Sequence, residues 1–573
     1  MAPYDGDLTE LFTDAFFAPA HRADGPSPAS PYLGLRHLQS RLGDQRPLLA
    51  DHARLRAVLE LSAMTDPRLF FAMFLHHCMA IGAALDFGAP HEDVARLASG
   101  QWIGAALMNE TGHGNSSSAI RTQAVFDPAA RGFVLHTPAP EAAKRPANVG
   151  LDGFARLAVV SARLRAGGAD RGTALFLVPL RDENGPCEGV TIEPLAPTPL
   201  LPMDYAKVRF DRVRMPYRSW LRDGASIAGD GSFHDPLGPD ARSRRSVGMS
   251  RFACGAVTAG LAAAARASVA LALTHARHRR THDRLAGDIE AVAHLNQQRL
   301  LFGAAADALA ATAVARRATT RSWHIPPGGG VGTGPSAAEM RTLTLNKVTV
   351  AVLADSAVTR CRSASGALGF FPEHGLIDYQ ALTTAFLSAG GDNRLIMLDA
   401  AWAMATCPDC VPPDDKTAPG SWPRLFRTRE RLLHTELTSA LHTDDQGGTV
   451  RFATWNAQTE LAQRLAEAHA TRTTAEALRD VWRAPEVPAT ARTLLRDLYR
   501  LHCLEQTAPH AGWYLAHGLL LPQQVLALPE RINEICRRLV PHAEALTELL
   551  EIPDELLRSE HRCRTRHRPN GMG

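Results

Sequence analysis

The chain has 573 residues, 45% of them hydrophobic, 21% charged and 6% aromatic, with 62 basic against 59 acidic side chains and a formal charge of +3. That profile belongs to a folded protein of three or four compact units and excludes a disordered chain, a collagen or one small binding module. A balance so near neutral provides no overall field for nucleic acid or an anionic bilayer, and neither is expected as a partner. Only four basic residues are lysines, Lys144, Lys207, Lys347 and Lys416, a bias attributed to a GC-rich genome rather than to chemistry. Nine scattered cysteines fit reduced thiols better than a disulfide framework, and the acidic start Met1 to Asp7 lacks the basic and apolar regions of an export leader. A cytoplasmic protein is expected.

From Leu35 to Ala106 apolar residues recur at helical spacing, as in Arg68-Leu69-Phe70-Phe71-Ala72-Met73-Phe74-Leu75-His76-His77, and predict a helical first domain over 1–107. Short β-prone runs such as Gly132–His136 and Ala174–Pro179, divided by Gly and Pro, predict a β domain over 108–235. Long helical patterns return from Val247 to Met404 and define a third domain, 236–405, broken by a Gly-rich loop at Pro326–Gly334. A Pro-rich connector, Cys407–Pro423, leads to a last helical domain, 406–573, ending in a basic tail. Cys407-Pro408-Asp409-Cys410 has the spacing of a zinc ligand pair but no second pair, so no metal is expected.

Between the first two domains lies Asn109-Glu110-Thr111-Gly112-His113-Gly114, whose glycines allow backbone amides to approach a ligand. Near the end of the third come Gly366-Ala367-Leu368-Gly369 and Gly390-Gly391-Asp392-Asn393. With Met203-Asp204-Tyr205, Phe210–Pro216, Asn296–Phe302, Asp497–His502 and Ile552–Leu557, this succession resembles the acyl-CoA oxidases of the acyl-CoA dehydrogenase superfamily. The resemblance implies a mainly α fold with a central β domain: N-terminal helices, a small β-barrel, a helical bundle and an extra C-terminal helical domain. It also implies FAD as cofactor, an acyl thioester or related small molecule as substrate, and a dimer, either a homodimer or a heterodimer with a homologue. By carry-over, Asn109, Glu110, Thr111, Gly112 and Gly114 lie near the isoalloxazine. Arg280, contributed by the partner chain, faces the diphosphate, and Gly366, Gly369, Asp392 and Asn393 serve the rest of the cofactor.

One departure matters most. In that family an α-proton is removed by the Glu of a Tyr-Glu-Gly-Glu/Asp-Asn sequence, and here Gly390 stands in its place. Glycine accepts no proton, and the alternative base site on the preceding helix, near Ser250-Arg251, offers no carboxylate either. Asp392, Glu373, His374 and Asp378 are the substitute bases to examine. Two functions remain open: an FAD-dependent oxidoreductase of altered mechanism, or a catalytically inactive subunit that pairs with an active homologue.

Overall fold

The structure, a computed structural model, describes residues 4–17, 27–43, 48, 50–116, 119–229, 231–324, 334–407, 421–442 and 450–556. Most of the Gly-rich loop and the Pro-rich connector, Cys410 with them, and the basic tail lie outside that set. The chain forms two compact units, one of residues 4–260 with 319–340, the other of 261–318 with the chain from 341 onward.

After a short N-terminal helix, Gly6–Phe12, the first unit has helices α1 (Ser30–Leu42), α2 (His52–Thr65) and α3 (Pro67–Met73), the last continuing into a π-helical stretch, Phe74–Ile81. Asp51 and Asp66 cap α2 and α3 by accepting the amides of Arg54 and Arg68, and Pro67 occupies the first turn of α3, where no amide is needed. The π-helical stretch buries both His76 and His77. His76 Nδ1 accepts the Gly104 amide at 2.8 Å, tying the helix to the first strand, and His77 Nδ1 bonds the Met73 carbonyl at 3.2 Å. Burial pulls His77 down to about 4, against the upward pull of the Met73 bond, so this imidazole is neutral at pH 7.

Strands β1 (Ile103–Leu107), β2 (Gln123–Asp127), β3 (Gly132–His136), β5 (Arg156–Ala166), β6 (Ala169–Arg181) and β9 (Val213–Pro216) form one sheet, and β4 (Lys144–Asn148), β7 (Val190–Pro194) and β8 (Tyr205–Phe210) a second. β5 is parallel to β1 and β2 and antiparallel to β6. Its residues are buried almost without alternation, as expected of a strand covered on both faces. Phe126, Phe133, Phe176 and Trp220 pack edge to face in the core. β1 begins ahead of the expected domain boundary at 108, because Ile103-Gly104-Ala105-Ala106-Leu107 reads equally well as the end of a helical pattern. Fully buried Arg156 bonds Asp204 at 2.8 Å and lies 3.9 Å from the Tyr32 ring, so Asp204 of the matched motif anchors the β domain to the first helices. A second buried network joins Asp86 and Asp223 to Arg242 and Arg245 of α4 (Pro239–Val247).

The second unit is helical. It draws on α5 (Ser250–His278), α6 (Leu295–Ser322) and α7 (Ala337–Ser365), followed by α8 (Leu376–Ala385) and α9 (Asn393–Thr406). The C-terminal segment adds α10 (Trp422–His442), α11 (Thr459–Arg483), α12 (Ala489–Thr507) and α13 (Leu528–Leu539). Leu345, Val348, Met397 and Ala401 share one core with Leu433, Leu437 and Leu465, which places the C-terminal helices in the same compact unit as α7 and α9. The stretches Pro67–Asp86 and Ala241–His278 are apolar and long enough to cross a bilayer, yet 89% and 94% of their apolar windows are buried within the protein. The seven described cysteines are free thiols.

Candidate functional site

In the first unit the loop after β1 runs beside residues 141–145. The Thr111 amide donates to the Ala143 carbonyl, the Gly112 amide to Glu141 and the Arg145 amide to Asn109, at 2.9–3.1 Å. A side chain at 112 has no room, since its Cβ would stand 2.7 Å from that of Glu141. Asn109, Thr111, Gly112 and Gly114 are exposed, and so available to a ligand. Glu110 is different. Its carboxylate is buried and accepts the amides of Arg121 (2.8 Å) and Thr122 (2.9 Å) together with the Lys144 ammonium (3.1 Å). Burial alone would raise this carboxyl, but Lys144 and the two amides outweigh it and hold it below its usual range. Burial likewise pulls Lys144 down to about 8, with Glu110 opposing. Further along, Asn148 is buried on β4 with its Nδ2 unpartnered.

The alternative base position is occupied by Arg251, fully buried, which reaches Asp86 at 2.9 Å and the carbonyls of Ser322 and His324. Asp86 also takes a bond from Arg245 at 2.7 Å. A carboxylate is therefore nearby, but both of its oxygens face arginines.

In the second unit the stretch 386–393 is a turn between α8 and α9. Gly390 and Gly391 adopt φ of +66° and +97°, conformations natural to glycine. A Cβ at 390 would meet only Lys347 Cε and the Phe386 ring, all at 3.7 Å, so the position is open. Lys347 reaches across from α7, wholly buried, and donates to the carbonyls of Phe386 (2.9 Å) and Gly391 (2.8 Å) and to Asn393 Oδ1 (2.9 Å). Those bonds fix the Asn393 amide with its oxygen toward the ammonium and leave Nδ2 buried without an acceptor. Asp392 caps α9, accepting the amides of Arg394 and Leu395. Glu373 and His374 lie on the short turn Pro372–His374, and Asp378 in the first turn of α8.

The arginine expected at a diphosphate, Arg280, is paired with Asp288 (2.7 Å) across a small hairpin. Its neighbour Arg279 instead lays its guanidinium against Gly366, NH1 standing 3.0 Å from where a Cβ would be. Arg279 is exposed and has no acidic partner among the described residues.

A family model described as Acyl-CoA oxidase matches residues 421–560, the C-terminal helices. The acyl-coenzyme A oxidase-like protein of Mus musculus is 24% identical over 551 residues, covering 87% of this chain and 84% of its own. Over most of its length the chain is similar to acyl-CoA oxidases. Acyl-CoA oxidase 1 of Yarrowia lipolytica superposes with a TM-score of 0.84 at 17% identity, over 99% of this chain and 90% of that one. Acyl-CoA oxidase-2 of Caenorhabditis elegans, solved with FAD, ascaroside-CoA and ATP, does so with 0.83 at 18%, over 99% and 91%. The expected fold, mainly helical with a central β domain and a C-terminal helical extension, is thus the fold found.

Two functional residues do not stand out in the sequence: Lys144 and Lys347. Both are buried completely, each at the foot of a ligand-type loop. A signal existed, because four lysines among 62 basic residues mark the positions where arginine was not used. Arginine's rigid planar fork does not reproduce the three diverging donors of an ammonium, which Lys347 uses on three separate oxygens.

Proposed function

We propose that this protein is an FAD-dependent oxidoreductase acting on an acyl thioester of CoA or a carrier protein, or on a related small molecule, without a side-chain base at position 390. The observation that carries the reading is the turn 386–393, kept in place by Lys347 but bearing glycine where the family has glutamate. Bound to such a protein, FAD supplies a two-electron acceptor for a hydride. The residues present suit it. In the first unit, exposed Thr111, Gly112 and Gly114 offer backbone and hydroxyl groups to the flavin end, and Asn148 Nδ2 is a buried donor in want of an acceptor. Arg279 beside the Gly366–Gly369 turn suits a diphosphate, because its planar donors bridge two oxygens. A dimer in which each chain completes the other's cofactor site, in the cytoplasm, accompanies this reading.

With no carboxylate at 390, the protein's part in the reaction is to bind, orient and exclude water, and the α-proton must leave to another acceptor. A more acidic C–H, an N–H substrate, or a basic group on the substrate itself meets that requirement. The test is anaerobic reduction: the purified protein should be yellow and should bleach with an acyl or amine substrate. A colourless protein that takes up no added FAD refutes the proposal.

The missing glutamate also favours a second reading, a non-catalytic subunit paired with an active homologue. Co-purification with a homologue that retains Tyr-Glu-Gly supports it. A homodimer that holds two FAD and turns over alone excludes it.

A further inference from the structure

We propose that the buried Glu110–Lys144 pair is a positioning device for the loop Thr111–Ser116, setting how that loop meets its ligand. Replacing such a pair by apolar side chains of similar volume is often neutral or even stabilising, so stability alone does not call for it. A carboxylate does something that an apolar side chain cannot. Glu110 sits where the chain leaves β1, and its two oxygens accept the amides of Arg121 and Thr122, where the chain returns to β2. Both ends of the loop are thus held by one group.

At its start the Thr111 and Gly112 amides donate to the Ala143 and Glu141 carbonyls, and beyond them the described part of the loop is held by its own turns. Its turns are local, the His113 amide donating to the Glu110 carbonyl and the Ser116 amide to that of His113. Thr111, Gly112, Gly114 and Asn115 are exposed, so core packing does not locate them. The carboxylate in turn is fixed from two directions. Lys144 of β4 donates to Glu110 Oε1 and to Ser161 Oγ of β5, both at 3.1 Å, and Ser161 donates to the Met108 carbonyl at 2.9 Å. Strands β4 and β5 therefore set the carboxylate, and the carboxylate sets the loop. The flavin arm of the test rests on the proposed cofactor; the exchange arm does not.

The experiment compares the full-length protein with the single variant Lys144→Met and the double variant Glu110→Gln/Lys144→Met, which removes both charges and keeps approximate shape. Hydrogen exchange at the amides of 111–116, global melting and FAD affinity are the readouts. The double variant turns the Gln amide nitrogen toward one of the Arg121 and Thr122 amides, so it is expected to stay folded but melt several degrees below the parent, to exchange its loop amides about tenfold faster or more, and to bind FAD about tenfold more weakly, as charge-assisted bonds are lost. Loop exchange and FAD affinity both unchanged in the folded double variant would overturn the proposal. Failure of both variants to fold would overturn it equally, since the pair would then belong to the β-domain core. If the parent itself binds no FAD, the cofactor reading fails while the exchange result still decides the role of the pair.

Discussion

Introducing a glutamate at position 390 is the most direct probe of the proposed reaction. The structure has room at least for the first side-chain atom of Gly390→Glu, whose Cβ would meet Lys347 Cε and the Phe386 ring at 3.7 Å, ordinary contact distances. The conformational cost is the left-handed backbone, φ +66°, which for a residue with a side chain is on the order of 1–2 kcal/mol. Part of that is offset because the unfolded chain loses the freedom of a glycine, leaving a net loss of about 1 kcal/mol and a fall in Tm of a few degrees. The new carboxylate would sit near the Lys347 ammonium, whose donors are already taken by the Phe386, Gly391 and Asn393 oxygens, so the positive charge favours its ionised form at pH 7 without a direct bond. A positioned general base typically contributes about 10²–10⁴-fold, so α,β-dehydrogenation of an acyl-CoA should rise by at least about 100-fold over the parent. Gly390→Gln is the control, with the same backbone strain and no basic group. Peroxide release and anaerobic flavin bleaching are measured across an acyl-CoA series. If the glutamate variant folds, binds FAD and matches the glutamine variant with every acyl-CoA, position 390 does not face the α-carbon of a thioester and the reasoning fails.

Lys347→Met should strand two buried acceptors, the Phe386 carbonyl and Asn393 Oδ1, and release the Gly391 carbonyl to water, and at about 1–3 kcal/mol for each unsatisfied buried group it should lower stability by roughly 2 kcal/mol or more, read as a shift in the urea midpoint; a shift under about 1 kcal/mol contradicts the clamp. Arg279→Ala should weaken FAD binding by about 10- to 100-fold, the loss of charge-assisted bonds, while Arg280→Ala, which only opens the hairpin pair with Asp288, changes it by less than about threefold; the opposite order in equilibrium titrations assigns the diphosphate to Arg280. His77, held near 4 in the fold against 6.5 when unfolded, takes its proton first in the unfolded chain as pH falls, so stability is present above pH 6.5 and lost toward pH 4. Between pH 7 and pH 5 that loss is about 2 kcal/mol, and His77→Gln should flatten the acid limb of apparent stability by that amount; an unchanged limb shows that His77 is not the group responsible.

How legible this was in the sequence depended on whether the signal was periodic or single. β3 occupies Gly132–His136, the residues its alternation predicts, and the long helices stand where 3.6-residue spacing places them. The pattern failed at β1, where five small and apolar residues support either period and only pairing with β5 decides. Motif position was legible and side-chain direction was not. Glu110 falls in the ligand-type loop, yet its carboxylate turns inward to Lys144, a contact across 34 positions that no local rule reveals. Arg279 and Arg280 are adjacent and chemically alike, and what separates them is a hairpin partner, Asp288, that the sequence offers to either. The lysines were passed over because composition explained their scarcity, and composition does not say where the few that remain are used.

The fate of the carboxylates narrows the chemistry more than the missing glutamate does alone. In the first unit, Asp86 beside the alternative base position faces Arg245 and Arg251, and Glu110 faces Lys144 and two amides. In the second, Asp392 next to the vacated position holds the amides of Arg394 and Leu395 at the start of α9. For any of these to accept a substrate proton it would have to release donors that now stabilise its charge, and the element it secures would loosen with it. A side chain already bound in this way is a poor general base whatever its distance from the substrate. An acceptor carried by the substrate avoids the difficulty altogether. A substrate with its own basic group should therefore reduce the flavin at a rate that follows the pKa of that group in a homologous series; a rate indifferent to that pKa but lost in His374→Gln would move the base back onto the protein.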